Sequence, residues 1–141
     1  MDFSEEITFI TTNKNIGRRD YFDWKTESLP LYLKWSLTFD YLFKVIEDNK
    51  ITGIGVAYPI QRDCKCMEDL YMFGNIVKKE DEPNKSLFIL EWLAVTPNAR
   101  RELVTKFKQR YPNWENQKKF GIQFDKMKLL SNRYINLLNN I

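Results

Sequence analysis

The chain contains no histidine. Ser-His-Asp and Cys-His catalysis are therefore excluded, and any general base must be a carboxylate, a lysine, a tyrosine or water. Glu91 is the carboxylate placed to do such work. It interrupts the apolar run Leu87-Phe88-Ile89-Leu90 before Trp92-Leu93-Ala94-Val95 resumes it. A carboxylate in apolar surroundings has a raised pKa and could take a proton from an amine, directly or through water. The competing reading puts Glu91 at the sheet surface or against an arginine. Cys64 and Cys66 could supply half a metal site, but no histidine or third cysteine completes it. A pair of reduced thiols in a loop, without metal, is expected.

The stretch that must position Glu91 runs from Ser86 to Tyr111. Its apolar run reads as a strand buried on both faces. The strand stops at Thr96-Pro97, where Thr96 suits an N-cap and Pro97 the first position of a helix. Ala99, Leu103, Val104 and Phe107 then recur at helical spacing, with Arg100, Arg101, Glu102, Lys106 and Lys108 on the other face. Pro112 ends the helix near Tyr111. In open α/β sheets, ligands sit at such a carboxyl end of a strand, which here is Val95-Thr96-Pro97.

The remaining elements follow from local pattern. Ile7–Thr11 reads as a first strand and 12–19 as a loop. A helix is expected over Leu29–Thr38, with Ser28 as cap, Pro30 in the first turn and Leu31, Trp35 and Phe39 on one core face. Tyr41–Ile46 and Ile51–Tyr58 form a hairpin around the polar turn Glu47–Lys50, and Pro59 ends the return strand. Gly53 and Gly55 inside it mark a bulge or a close backbone approach. Gln61–Asp69 reads as a loop, Leu70–Val77 as a strand or short helix, and Lys78–Lys85 as a solvated charged connection. Tyr111–Gln117 is a turn and Lys119–Phe124 a strand. Asp125 caps a last helix with Met127, Leu130, Tyr134, Leu137 and Ile141 on one face. The expected fold is α/β (α+β), a mixed central sheet flanked by helices, forming a single domain over 1–141.

The net charge is +3, unevenly spread. From Pro97 onward there are ten Lys and Arg against three Asp and Glu; before it, twelve against sixteen. The basic half suggests an anionic partner: a phosphorylated cofactor, an acidic carrier protein or nucleic acid. A solvated lysine face accounts for it equally well. Nucleic acid ranks last, because the charged face of the Pro97 helix carries no aromatic. No apolar run approaches the ~20 residues of a membrane helix. The start, MDFSEEITFI, is acidic and lacks a basic n-region, so a cytosolic protein is expected.

FKVIEDNKITGIGVAYP and LEWLAVTPNAR together resemble the second to fourth strands of the GNAT superfamily, the acyl-CoA N-acyltransferases. The likeness covers roughly Tyr41 to the end. It implies that acetyl-CoA or another acyl-CoA binds beside the central strand. Leu93 to Val95 would face the pantetheine arm, and Asn98, Arg100 and Arg101 would lie near the phosphates at the helix N-terminus. The family has a glycine-rich loop at that point, where this chain reads Pro97-Asn98-Ala99-Arg100-Arg101-Glu102-Leu103. The resemblance also implies a tyrosine acid for the leaving thiolate, at Tyr134, beside Glu91 as base. A looser likeness is to toxin-activating acyltransferases, which take acyl groups from acyl carrier protein but use a histidine. The expected function is acyl transfer from a thioester donor to an amine. Its rival is a non-catalytic GNAT-like fold, viral or accessory, that docks to a protein assembly.

Overall fold

A computed structural model describes residues 2–13, 28–60, 77–123 and 126–140. Its elements are α1 (Ser4–Asn13), α2 (Ser28–Thr38), β1 (Leu42–Glu47), β2 (Lys50–Ile60), β3 (Ser86–Ala94), α3 (Pro97–Arg110), β4 (Lys119–Gln123), β5 (Lys126–Leu129) and α4 (Asn132–Asn140). Short 3-10 turns cover Lys79–Asn84 and Trp114–Asn116. The strands form one mixed sheet in the order β1-β2-β3-β4-β5. Only the β3–β4 pair is parallel. The Lys14–Arg19 part of the expected loop lies outside the described residues, as do the segment from Gln61 to Ile76, both cysteines and the cap at Asp125.

The hairpin forms where its turn chemistry demands. Asp48 and Asn49 take φ of 51° and 64°, the two left-handed positions of a two-residue turn that Asp and Asn tolerate best. β2 continues through Pro59, however. Ala57 donates its N–H to the Tyr41 carbonyl, so alternation turns the Pro59 nitrogen to the same side. β1 has already ended there, at Leu42 opposite Val56, and no ladder bond is lost.

Each face of the sheet has its own core. Phe9 and Ile10 of α1 and Leu29, Tyr32 and Leu33 of α2 pack on Ile54, Val56, Tyr58, Phe88, Leu90 and Leu93. On the opposite face, Ala99, Leu103, Val104 and Phe107 of α3 and Ile135 of α4 pack on Phe43, Val45, Ala57, Leu87 and Ile89. β3 is thus covered on both sides, as its apolar run requires. The β2 glycines make room for α3 and for the Trp92 ring of β3. A Cβ on Gly53 would lie 3.2 Å from the Ala99 Cβ, and one on Gly55 2.9 Å from the Trp92 ring.

Four sequence expectations need correction. Ile7–Thr11 belongs to helix α1. Glu6, Phe9 and Ile10 are three and four residues apart and bury together, which outweighs the β-branched composition. The Asp2 carboxylate accepts from the Ser4 N–H at 2.8 Å at the helix start. Helix α2 forms as expected but buries Leu29, Tyr32, Leu33 and Ser36, and leaves Leu31 70% exposed. Lys78–Lys85 is not merely solvated, because Glu82 within it is buried against Arg110. The last helix begins only at Asn132, with the Ser131 hydroxyl accepting from the Tyr134 N–H at 3.1 Å. Lys126–Leu129 is instead strand β5, which satisfies the ladder groups of β4. Met127 packs with the α1/α2 core and Leu130 with the α3 core, so the two lie on opposite faces.

Candidate functional site

The strand that carries Glu91 parts from its parallel neighbour after Ile89. β3 and β4 pair only at Leu87–Lys119, Phe88–Phe120 and Ile89–Gly121. Each strand then runs on, β3 to Ala94 and β4 to Gln123. Beyond Glu91, that flank of β3 has no strand beside it among the described residues. The parting coincides with a bulge: Val56 faces Glu91 and Ala57 faces Ile89, so Leu90 is the extra residue. A bulge bends a strand and re-aims the side chains that follow it. Leu87 and Ile89 join the α3 core and Phe88 and Leu90 the other; past the bulge Trp92 joins the first and Leu93 the second.

The expected site residues do not form one constellation. The Glu91 backbone lies opposite Val56, while its side chain is outside the described part of the structure. Leu93 is 1% exposed and spends its side chain on the α1/α2 core, so it offers a ligand only backbone. Val95 is 45% exposed, and its N–H donates to the Thr52 carbonyl at 2.9 Å. At the start of α3, Asn98 and Arg101 are exposed and Arg100 is half-buried. Tyr134 is 42% exposed, so it is not the core tyrosine its spacing suggests; Ile135 takes the buried position. α4 is bonded to α3 through Lys108 Nζ and Asn136 Oδ1 at 2.8 Å. That contact is ten residues along α3 from Asn98, roughly 15 Å of helix.

One residue that sequence reasoning missed dominates the N-terminus of α3. Glu47, the last residue of β1, reaches the turn that enters the helix. Its carboxylate accepts a hydrogen bond from the Thr52 hydroxyl and another from the Thr96 hydroxyl, the latter at 2.7 Å. Thr96 in turn accepts from the Ala99 N–H at 3.0 Å, which makes it the N-cap that the sequence predicts. The Thr52 hydroxyl, then the Thr96 hydroxyl and, against a small burial effect, the Asn98 side chain hold the Glu47 carboxyl below its ordinary pKa of 4.5. A fixed negative charge therefore lies over the positive end of the helix dipole. No local signal could have found it, since its Thr96 partner is 49 residues away.

This arrangement tests the fit of a coenzyme. A pyrophosphate needs free N–H groups, positive potential and close backbone approach, which glycines normally supply. Here the helix end is capped by Thr96, carries the Glu47 carboxylate and has no glycine. The residues do not fit coenzyme A phosphates at this position. No described helix is long and apolar enough to cross a membrane. No protein-family model matches the chain, and no curated protein or solved structure matches it either.

Proposed function

We propose that the chain is a non-catalytic binding protein on a GNAT-like scaffold, one that docks to a protein assembly. The observation that carries this reading is the Glu47 carboxylate at the head of α3, where the family resemblance calls for an anionic ligand. Two like charges in one partly desolvated position repel, so the chain's own acid disfavours the donor's phosphates. The exposure of Tyr134 and its distance along the helices from Asn98 weigh in the same direction.

A second reading, transfer of an acyl group to an amine, is favoured by the parting of β3 and β4 at the Leu90 bulge. It requires a thioester donor whose phosphates are held away from α3, such as one carried on an acidic protein. Glu91 would be its base and Tyr134 its acid.

Acetyl-CoA separates the two in a thermal melt, because a ligand bound only to the folded state raises the midpoint. The docking reading expects no shift at millimolar acetyl-CoA. A rise that saturates with ligand concentration would reject it.

A further inference from the structure

We infer that the outer edge of β1, with the cationic cleft beside it, is the docking surface, and that its occupant is an extended acidic segment of a partner protein. The inference rests on the docking reading above and names the partner's chemistry.

Two independent observations converge on this edge. The first is backbone. Among the described residues, β1 pairs with β2 alone, on one side. Tyr41 accepts from Ala57, so the ladder turns Tyr41 and Phe43 toward β2 and turns the N–H and C=O groups of Leu42 and Lys44 away from it. No strand pairs with those groups among the described residues. An open row of donors and acceptors is what a peptide adds to when it extends a sheet.

The second is charge. An open cleft of about 470 Å³ runs beside Leu42 and Lys44, and Lys79 and Lys106 also line it. These lysines come from three elements far apart in sequence: β1, the Lys79–Asn84 turn and α3. A cluster assembled in this way is not the solvated face of one helix. Lys79 and Lys106 have no ion-pair partner among the described residues, whereas Lys44 is paired with Glu6 at 3.5 Å. The one carboxylate lining the cleft, Asp40, is turned to Arg110, with Oδ2 3.5 Å from Nε. Arg110 is shared between Asp40 and Glu82, one guanidinium against two carboxylates, so the excess positive charge of the cleft is that of Lys79 and Lys106. Lys79 and Lys106, uncompensated around one concavity, repel each other, and an acidic strand relieves that repulsion while pairing with the edge.

The test uses the full chain and a fluorescent octapeptide of alternating Glu and Val, read by anisotropy at low and moderate salt. Binding is expected, weakening as salt rises. The variant Lys79→Glu/Lys106→Glu, checked by its melt to be folded, is expected to bind at least tenfold more weakly. N-methylating the peptide on alternate amides is expected to abolish binding for one of the two alternate sets. The inference is overturned if the acidic peptide does not bind, if the charge-reversed variant binds it equally, or if both methylated peptides bind as tightly as the parent. It is also overturned if single-stranded DNA of equal charge binds more tightly than the peptide. A peptide that fails beside a flat acetyl-CoA response removes this edge and leaves the docking reading; an acetyl-CoA stabilisation removes the docking reading itself.

Discussion

Arg110→Ala is expected to lower the free energy of unfolding by about 3–5 kcal/mol, because it strands a buried carboxylate. The guanidinium donates to both oxygens of Glu82, through Nη1 and Nη2 at 3.0 Å each. It also donates through Nε to the Asp40 carbonyl at 2.9 Å. Glu82 is only 6% exposed, so water cannot replace the lost donors. Burial is the largest single influence and works against the Arg110 charge, but the bonds to Glu82 together with the nearby Tyr111, Glu82 and Asp40 outweigh it and hold its pKa above the usual value. The melting temperature should fall by roughly 10 °C. Arg110→Lys, which keeps the charge and loses the fork, should lie between. Glu82→Met/Arg110→Met should recover most of the loss, since removing both partners leaves no orphaned charge. Urea unfolding of the four proteins checks this; a loss below about 1 kcal/mol for Arg110→Ala would mean that the pair is not buried as described.

A comparable loss, about 3–5 kcal/mol, is expected for Phe107→Ala, from a cavity between α3 and the sheet. Phe107 is 1% exposed, and its ring meets Trp92 at 90° with centroids 6.0 Å apart. Tyr111, 5.5 Å away, is the obvious ring to move into the gap. It cannot move freely, because its hydroxyl donates to the buried Ala57 carbonyl at 2.6 Å. The hole should therefore persist and carry its full cost. Leu31→Ala in α2 is the contrasting case. Leu31 shares its helix with fully buried Leu33 but is 70% exposed, so its truncation should change stability by less than about 0.5 kcal/mol. Denaturant curves for the two variants test which helix faces form the core.

What could be read in the sequence was what is encoded locally. Asp48-Asn49 specifies its turn through two residues. Thr96-Pro97 and Tyr111-Pro112 delimit α3, whose spacing names the four buried residues Ala99, Leu103, Val104 and Phe107. The strand before it is an apolar run broken only by Glu91, which is enough to place it in the middle of the sheet. What failed depended on distant partners. Ile7–Thr11 has the composition of a strand, yet burial of Phe9 and Ile10 overrides the β-branched residues and makes it helix α1. The last helix is shorter than its pattern suggests because Met127 and Leu130 fit helical spacing as well as they fit a strand. Glu82 and Glu47 look like solvated acids in charged segments. Only the fold brings one to Arg110, 28 residues on, and the other to Thr96. The candidate site suffered most, since its phosphate-facing end was inferred from the helix start alone, without the strand end that folds against it.

The claim on which the functional reading depends is that Glu47 is ionised and fixed at the head of α3. A carbon-detected NMR titration of the Glu47 carboxyl, run with and without millimolar coenzyme A, tests it directly. A depressed pKa means that the carboxylate stabilises the fold above about pH 4.5, the ordinary value, and that this contribution is lost as pH falls through the folded midpoint. The account predicts a midpoint below 4.5 that coenzyme A leaves unchanged. A midpoint at or above that value, or one that climbs when coenzyme A is added, would contradict it.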